Sequence, residues 1–275
     1  MLKRRTAEEG QVLMIDWLHN LPLGWMALVV FVVTYLVAAG IHWLVMALAV
    51  GERARAFKAI SPGMLPPLGI IFGLLVAFIA AQVWGDLDRA HAAVNREASA
   101  LRAIVLLATS FPGEPETRLR ALVHRQIEDA VTQEWPAMAR RRATLTMTPA
   151  PLAEALQVSL ALTPRGDGQV AAQREILAAV ENAFDARRQR ILVSQSTVNW
   201  VKWTALLVQA VCTLLAIAMV HSDNRASAAF AMGLFATGVA VSVVLISSHD
   251  RPFTGELSVG PDVLLQVLPE EAGRH

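Results

Sequence analysis

A single cysteine, Cys212, stands in the 275-residue chain, and it lies inside an apolar run. Disulfides within the chain and cysteine-built metal sites are thereby excluded. Charge is scarce as well: 17% of the residues are Asp, Glu, Lys or Arg, and the balance is +1. Soluble domains carry about 25%, and a near-neutral chain has no electrostatic footprint for nucleic acid. There is no Walker loop, dinucleotide fingerprint, HExxH or GxSxG motif. No two histidines have metal-ligand spacing, and His91 and His124 stand alone and read as structural. With no catalytic constellation, the sequence predicts neither an enzyme nor a cofactor or bound metal.

What is present is apolar surface. Hydrophobic residues make up 55% of the chain, and the mean hydropathy is +0.45. Four runs are long enough to span a bilayer as helices, which takes about 20 residues: Gly24 to Val50, Ser61 to Asp86, Trp203 to Val220 and Ala226 to Ile246. The first is too long for a signal-peptide core and reads as a span that stays. The sequence predicts an all-α polytopic membrane protein with four transmembrane helices and a helical insert. Its divisions are a leader (1–23), spans one and two (24–85), the insert (86–199), spans three and four (200–248) and a tail (249–275). Within the leader, Gln11 to Leu18 has the makings of a short interfacial helix.

The second run, SPGMLPPLGIIFGLLVAFIAAQVWGD, is the most ordered. Gly69, Gly73, Ala77 and Ala81 recur every four residues, and small residues let another helix approach closely in lipid. Beside them run Ile70, Leu74 and Phe78, followed by Gln82. Ordinary packing in a polytopic protein produces such a pattern. So does a pore helix, with the small stripe against its neighbours and the bulky stripe facing a narrow axis that gates by dewetting.

Few polar residues interrupt the spans, and apart from Asp86 at the very end of the second run no charged residue falls within them. His42 reads as an interfacial side chain rather than a proton relay. Gln209, near the middle of the third run, needs a partner in lipid and is expected to hydrogen-bond across helices. Between the first two runs, GERARAFKA supplies Arg53, Arg55 and Lys58. These form either a basic pore mouth that attracts anions or a contact for anionic head groups.

The insert reads as four helices. The first, from Asp86 to about Ser110, places Leu87, Ala90, Val94, Ala98, Leu101 and Val105 on one side and is able to continue the second span directly. The second, Thr117 to about Arg142, is expected to kink or stop at Pro136. The third opens at Thr148-Pro149, and the fourth runs from Gln169 to about Ser194. Arg187, Arg188 and Arg190 read mostly as a solvated face. In the tail, Val263, Leu264, Leu265 and Val267 suit docking on another subunit.

Three stretches carry a resemblance: the second run, EWPAM at Glu134 to Met138, and HDRPFTGE at His249 to Glu256. Together with the order of two spans, insert, two spans and motif, they resemble the bacterial bestrophin-like membrane family, which is distantly similar to the pentameric bestrophin ion channels. The resemblance implies a homo-oligomer, a pentamer by analogy, that passes inorganic ions across the bacterial inner membrane. It also implies a neck at Ile70, Leu74 and Phe78, and cytoplasmic termini and insert. Charge alone leaves the sidedness tied, with Lys3, Arg4, Arg5 and Arg251 against Arg53, Arg55, Lys58 and Arg225. Asp250, Arg251, Pro252, Phe253 and Gly255 match the family's Asp-Arg-Pro-Phe-x-Gly segment after the last span; against the Pro-Phe-Gly of the bestrophin channels, Thr254 is inserted before the glycine. Only Glu256 and Asp262 follow nearby, too few oxygens for a calcium clasp. The residues leave open a membrane signalling module built around the insert, or an accessory subunit of a larger complex.

Overall fold

The structure, a computed structural model, describes residues 21–50, 52, 57, 62–146 and 148–268. The leader helix expected at Gln11 to Leu18 and the basic residues Arg53, Arg55 and Lys58 lie outside them. Among the described residues there are helices and no strands: α1 (Leu23–Leu48), a 3₁₀ turn (Pro62–Met64), α2 (Leu65–Ala108), α3 (Glu114–Asp129), a π turn (Ala130–Glu134), α4 (Trp135–Ala139), α5 (Ala150–Leu160), α6 (Asp167–Ser194), α7 (Trp200–Val220), α8 (Arg225–His249) and α9 (Asp262–Leu265). Helices α1, α2, α7 and α8 are long and apolar enough to cross a membrane. This is a multi-pass, all-α membrane protein.

The chain divides into two compact units. The first comprises residues 1–85, 197–250 and 255–257. In it α1 packs on α7 and α8 through Ala38, Val45, Leu214, Met232 and Ala236. The spanning part of α2 joins through Phe72, Ile79, Ala80 and Val83, against Leu206, Ala210, Val239 and Ile246. Two polar contacts inside this apolar unit tie helix to helix, as groups cut off from water require, while the buried Nδ1 of His42 on α1 has no hydrogen-bond partner among the described residues. Tyr35 and Thr237 share a hydroxyl hydrogen bond of 2.7 Å. Gln209 donates to the Leu68 carbonyl at 3.2 Å, the cross-helix bond its position calls for.

Helix α7 begins at Trp200, three residues before the expected Trp203. Asn199 caps it, its side-chain oxygen accepting from the Val201 N–H at 3.0 Å. The earlier start brings Lys202 into the first turn of the helix.

The second unit comprises residues 86–196, 251–254 and 258–275. Helix α2 runs unbroken into it, as the periodicity of the first insert helix allowed. Ala90, Val94, Ala98 and Leu101 from α2 form a core with Leu119, Leu122, Val123 and Ile127 from α3, Leu152 and Ala155 from α5, and Ile176, Val180 and Ala183 from α6. Pro136 does not stop the helix. It lacks the N–H that an α-helix would direct to the Thr132 carbonyl, and the chain widens into a π turn just before it. There the Trp135 N–H reaches back to the Ala130 carbonyl. In the tail, Leu264 and Val267 are buried in the core of this same unit, so docking of those two on another subunit is corrected; Val263 and Leu265 remain exposed. Arg102 of α2 donates to the Gln266 carbonyl at 3.3 Å.

Candidate functional site

Two groups of residues stand out, one in each unit. In the first unit, α2 buries one face on α7 and α8. The residues on that face, Phe72, Ile79, Ala80 and Val83, fall on the side of the helix opposite Ile70, Leu74 and Phe78. Those three are exposed, at 62, 52 and 72%. Gly69, Gly73, Ala77 and Ala81 are exposed beside them. At Gly69 and Gly73 an added Cβ would meet nothing within 4 Å. The two stripes the sequence singles out therefore sit side by side on one helix face that the described residues leave uncovered. One turn beyond Phe78, Gln82 accepts a hydrogen bond from the Lys202 ammonium of α7.

The second group is a charge cluster that sequence reasoning missed. Arg187 and Arg190, expected on a solvated face, are buried, and only Arg188 of that trio is exposed. Arg190 spans both oxygens of Glu97, with Nε–Oε2 at 2.6 Å and Nη2–Oε1 at 3.1 Å. Its Nη2 also donates to Glu134 Oε2 at 2.6 Å, and Arg187 holds the other Glu134 oxygen at 2.6 Å. Two guanidiniums thus balance two carboxylates. Burial alone would lower the Arg190 pKa. The charges and hydrogen bonds of Glu97 and Glu134 outweigh it and hold the guanidinium above its ordinary value. A sequence signal did exist: Glu97 and Arg190 occupy positions in the apolar series of α2 and α6, where an unpaired charge would be costly.

This cluster leads to the motif after the last span. The Arg190 guanidinium lies 4.6 Å from the Trp135 ring centroid. Trp135 donates from Nε1 to the Val259 carbonyl at 3.0 Å and makes a T-shaped contact with Phe253, the ring centroids 5.8 Å apart. The Val259 N–H in turn donates to the Pro252 carbonyl at 2.7 Å. Thr254, the residue inserted before Gly255, donates through its hydroxyl to the Ala139 carbonyl at 2.8 Å. Gly255 has a φ of 92°, a conformation that favours glycine. EWPAM and the Pro-Phe-Thr stretch, far apart in sequence, are thus in contact. Asp250, in the first unit, accepts from the Val198 N–H at 2.7 Å, just ahead of α7. Arg251 is half-buried, and its carbonyl accepts from the Thr254 N–H at 3.2 Å.

Among the described residues no three His, Cys, Asp or Glu side chains converge as metal ligands. The acids that do converge, Glu97 and Glu134, are already met by arginines.

Comparison with known proteins fits this architecture. A family profile described as "Bestrophin-like domain" matches residues 32–264. A solved structure of a bacterial bestrophin homolog from Klebsiella pneumoniae, carrying the mutation L177T, is similar at a TM-score of 0.67 and 11% identity, covering 86% of this chain and 96% of that one. A structure described as a membrane protein P143A is similar at a TM-score of 0.66 and 14% identity, covering 87% and 99%. At these identities the likeness is one of fold. No curated protein gives a significant match.

Proposed function

The chain belongs to the bestrophin-like family, and from that premise we propose that it is a homo-oligomeric ion channel whose hydrophobic neck is formed by Ile70, Leu74 and Phe78 of each subunit. One observation carries this reading: all three side chains are exposed on the face of α2 turned away from α7 and α8, beside an uncovered stripe of small residues. Lipid alone needs no such order. A ring of subunits uses both stripes, the small one for close packing around an axis and the bulky one to narrow it. A dry apolar ring resists ions, because hydration is lost without replacement ligands, so the resting pore conducts poorly.

The remaining parts follow the same reading. The oligomer is a pentamer by family analogy, in the bacterial inner membrane, with termini and insert in the cytoplasm. Arg53, Arg55 and Lys58, which lie outside the described residues, are the basic pore mouth of this reading. Asp250, Arg251, Pro252, Phe253 and Gly255 are structural, tying the last span to its surroundings, and the protein performs no chemistry.

The test is ion flux from reconstituted vesicles. Replacing Ile70, Leu74 and Phe78 with alanine widens and wets the neck and raises flux. Unchanged flux from a correctly assembled triple-alanine oligomer would overturn the neck and leave a membrane signalling module or accessory subunit as the better description.

A further inference from the structure

Three arginines in a row, Arg140, Arg141 and Arg142, follow α4, and all three are exposed. The arginines of α3 are different: Arg118, Arg120 and Arg125 each have a glutamate within 4.0 Å. Among the described residues Arg140, Arg141 and Arg142 meet no carboxylate. The chain turns on them. The Arg142 N–H donates to the Ala137 carbonyl at 2.8 Å and the Arg141 N–H to the Met138 carbonyl at 2.9 Å. These are the paired bonds that close a helix around a left-handed residue, a place glycine usually fills. Here Arg141 fills it, with a φ of 56°, the one non-glycine residue of positive φ among the described residues. A side chain makes that backbone harder to adopt, so the turn by itself gives no reason for an arginine. A cation does suit a helix C-terminus, and Arg141 serves α6 so, donating to the Gln195 carbonyl at 3.5 Å. Arg140 and Arg142 have no such task.

The same contacts fix where the turn lies. Gln195 also donates through its side-chain amide to the Ala143 carbonyl at 2.6 Å, which pins the arginines to the C-terminal end of α6. Five residues on, the spanning helix α7 begins at Trp200, which is exposed. Five residues reach at most about 18 Å, and tryptophan at the end of a span sits at head-group level. The other end of α6 is 28 residues back, about 42 Å. The arginines are therefore at the end of α6 that leads into the bilayer. Apolar surface lies beside them. Leu145 is 41% exposed, and Leu192, on the α6 face that carries Gln195, is 50% exposed. Exposed leucines among unpaired cations make a surface suited to the plane of the head groups.

We infer that this turn is a docking site for anionic phospholipid: Arg140, Arg141 and Arg142 hold head-group phosphates, while Leu145 and Leu192 enter the interface beneath them. The guanidinium suits the task, because its planar fork meets phosphate oxygens in pairs. The field of an anionic leaflet adds to each contact and fades within a screening length. The inference needs only that α7 crosses the membrane, and it stands or falls independently of the neck.

The experiment uses the full chain in vesicles of phosphatidylcholine, with or without phosphatidylglycerol. A fluorophore on Thr144→Cys, in a Cys212→Ser background, is quenched by lipid carrying a nitroxide on its head group. Quenching is expected to be stronger with phosphatidylglycerol present and to weaken as salt is raised. Arg140→Gln/Arg142→Gln, which touches no bond of the turn, should lower the equilibrium constant for the head-group-bound state about thirtyfold. Arg140→Lys/Arg142→Lys should keep most of it. Arg141→Gly, which suits the left-handed backbone, should also weaken quenching without lowering the unfolding midpoint in detergent. A fluorophore on Arg165→Cys, just ahead of the far end of α6, should stay unquenched in both lipids. Absence of quenching, equal quenching in the two lipids, quenching indifferent to the arginines, or equal quenching at Arg165→Cys would each overturn the inference. So would a lower unfolding midpoint for Arg140→Gln/Arg142→Gln, which would assign those arginines to the fold.

Discussion

Arg190 holds both carboxylate oxygens of Glu97, at 2.6 and 3.1 Å, and neither side chain is exposed at all. Glu97 lies on α2, the helix that also carries Ile70, Leu74 and Phe78, and Arg190 lies on α6. A buried pair of this kind is weak proof of net stabilisation, but removing one partner leaves a bare charge. Arg190→Met should therefore cost about 3–5 kcal/mol, read as a lower unfolding midpoint of the detergent-solubilised protein. Glu97→Leu/Arg190→Met should recover most of the loss, since Glu134 keeps Arg187. A double variant as unstable as the single would show that the arginine acts through packing instead. The pKa of Arg190 is raised, so its stabilisation is fully present below its unfolded value and is lost only as pH rises through the still higher folded one. Its contribution should be level across the neutral range.

Gln126 presents the opposite case. It is buried in α3, and neither its amide nitrogen nor its oxygen has a hydrogen-bond partner. An orphaned buried polar group costs about 1–3 kcal/mol. Gln126→Met, close in volume and apolar, should raise the unfolding midpoint. A lower midpoint would mean that a water satisfies the amide and that the polar site is part of the fold.

Trp135 secures the tail through a single donor, its Nε1, on the Val259 carbonyl. Trp135→Phe keeps an aromatic ring near Arg190 and Phe253 but removes that bond, leaving a buried acceptor at a cost of about 1–3 kcal/mol. Limited proteolysis should then cut the segment after Phe253 faster than in wild type. Equal cleavage rates would mean that the Phe253 contact alone holds the segment.

The four spans were legible because length and hydropathy set them. Gln209 was legible because an amide in lipid admits few solutions. The stripes on α2 were legible as patterns, and their exposure is the added fact: spacing cannot tell a face packed within the chain from one left open. Arg187 and Arg190 were misread because charged residues at core spacing look solvated unless their partners are known. Those partners, Glu97 and Glu134, lie far away in sequence. Lys202 was missed because the third helix was started at the first unbroken apolar stretch, whereas the cap at Asn199 starts it three residues earlier.

Sidedness can be tested with single cysteines in a Cys212→Ser background. Arg165, in the second unit, and Asp223, between α7 and α8, are both exposed, and neither caps a helix. Asn224 is the poorer choice, because it caps α8 through the N–H groups of Ala226 and Ser227. In intact bacterial cells whose outer membrane admits an impermeant thiol reagent, labelling is expected at Asp223→Cys and not at Arg165→Cys. The reverse pattern would place the termini and insert outside the cytoplasm.

Gly73 separates packing within the chain from packing between subunits. Its missing Cβ faces open space, with nothing within 4 Å. A Cβ there meets nothing among the described residues, and leucine favours a helix by close to 1 kcal/mol over glycine. A lone subunit should therefore accept Gly73→Leu without loss of helicity. Close helix approach in lipid depends on small residues, so if the Gly69, Gly73, Ala77 and Ala81 stripe is where neighbouring subunits meet, the same leucine holds them apart. The expected result is a shift from the assembled to the monomeric peak in detergent gel filtration, with an unchanged circular dichroism spectrum. Gly24→Leu, at the start of α1 where the added side chain also meets nothing, controls for bulk in a span and should leave assembly intact. Full assembly of Gly73→Leu would move the interface off this stripe, and with it the axis that Ile70, Leu74 and Phe78 are proposed to line.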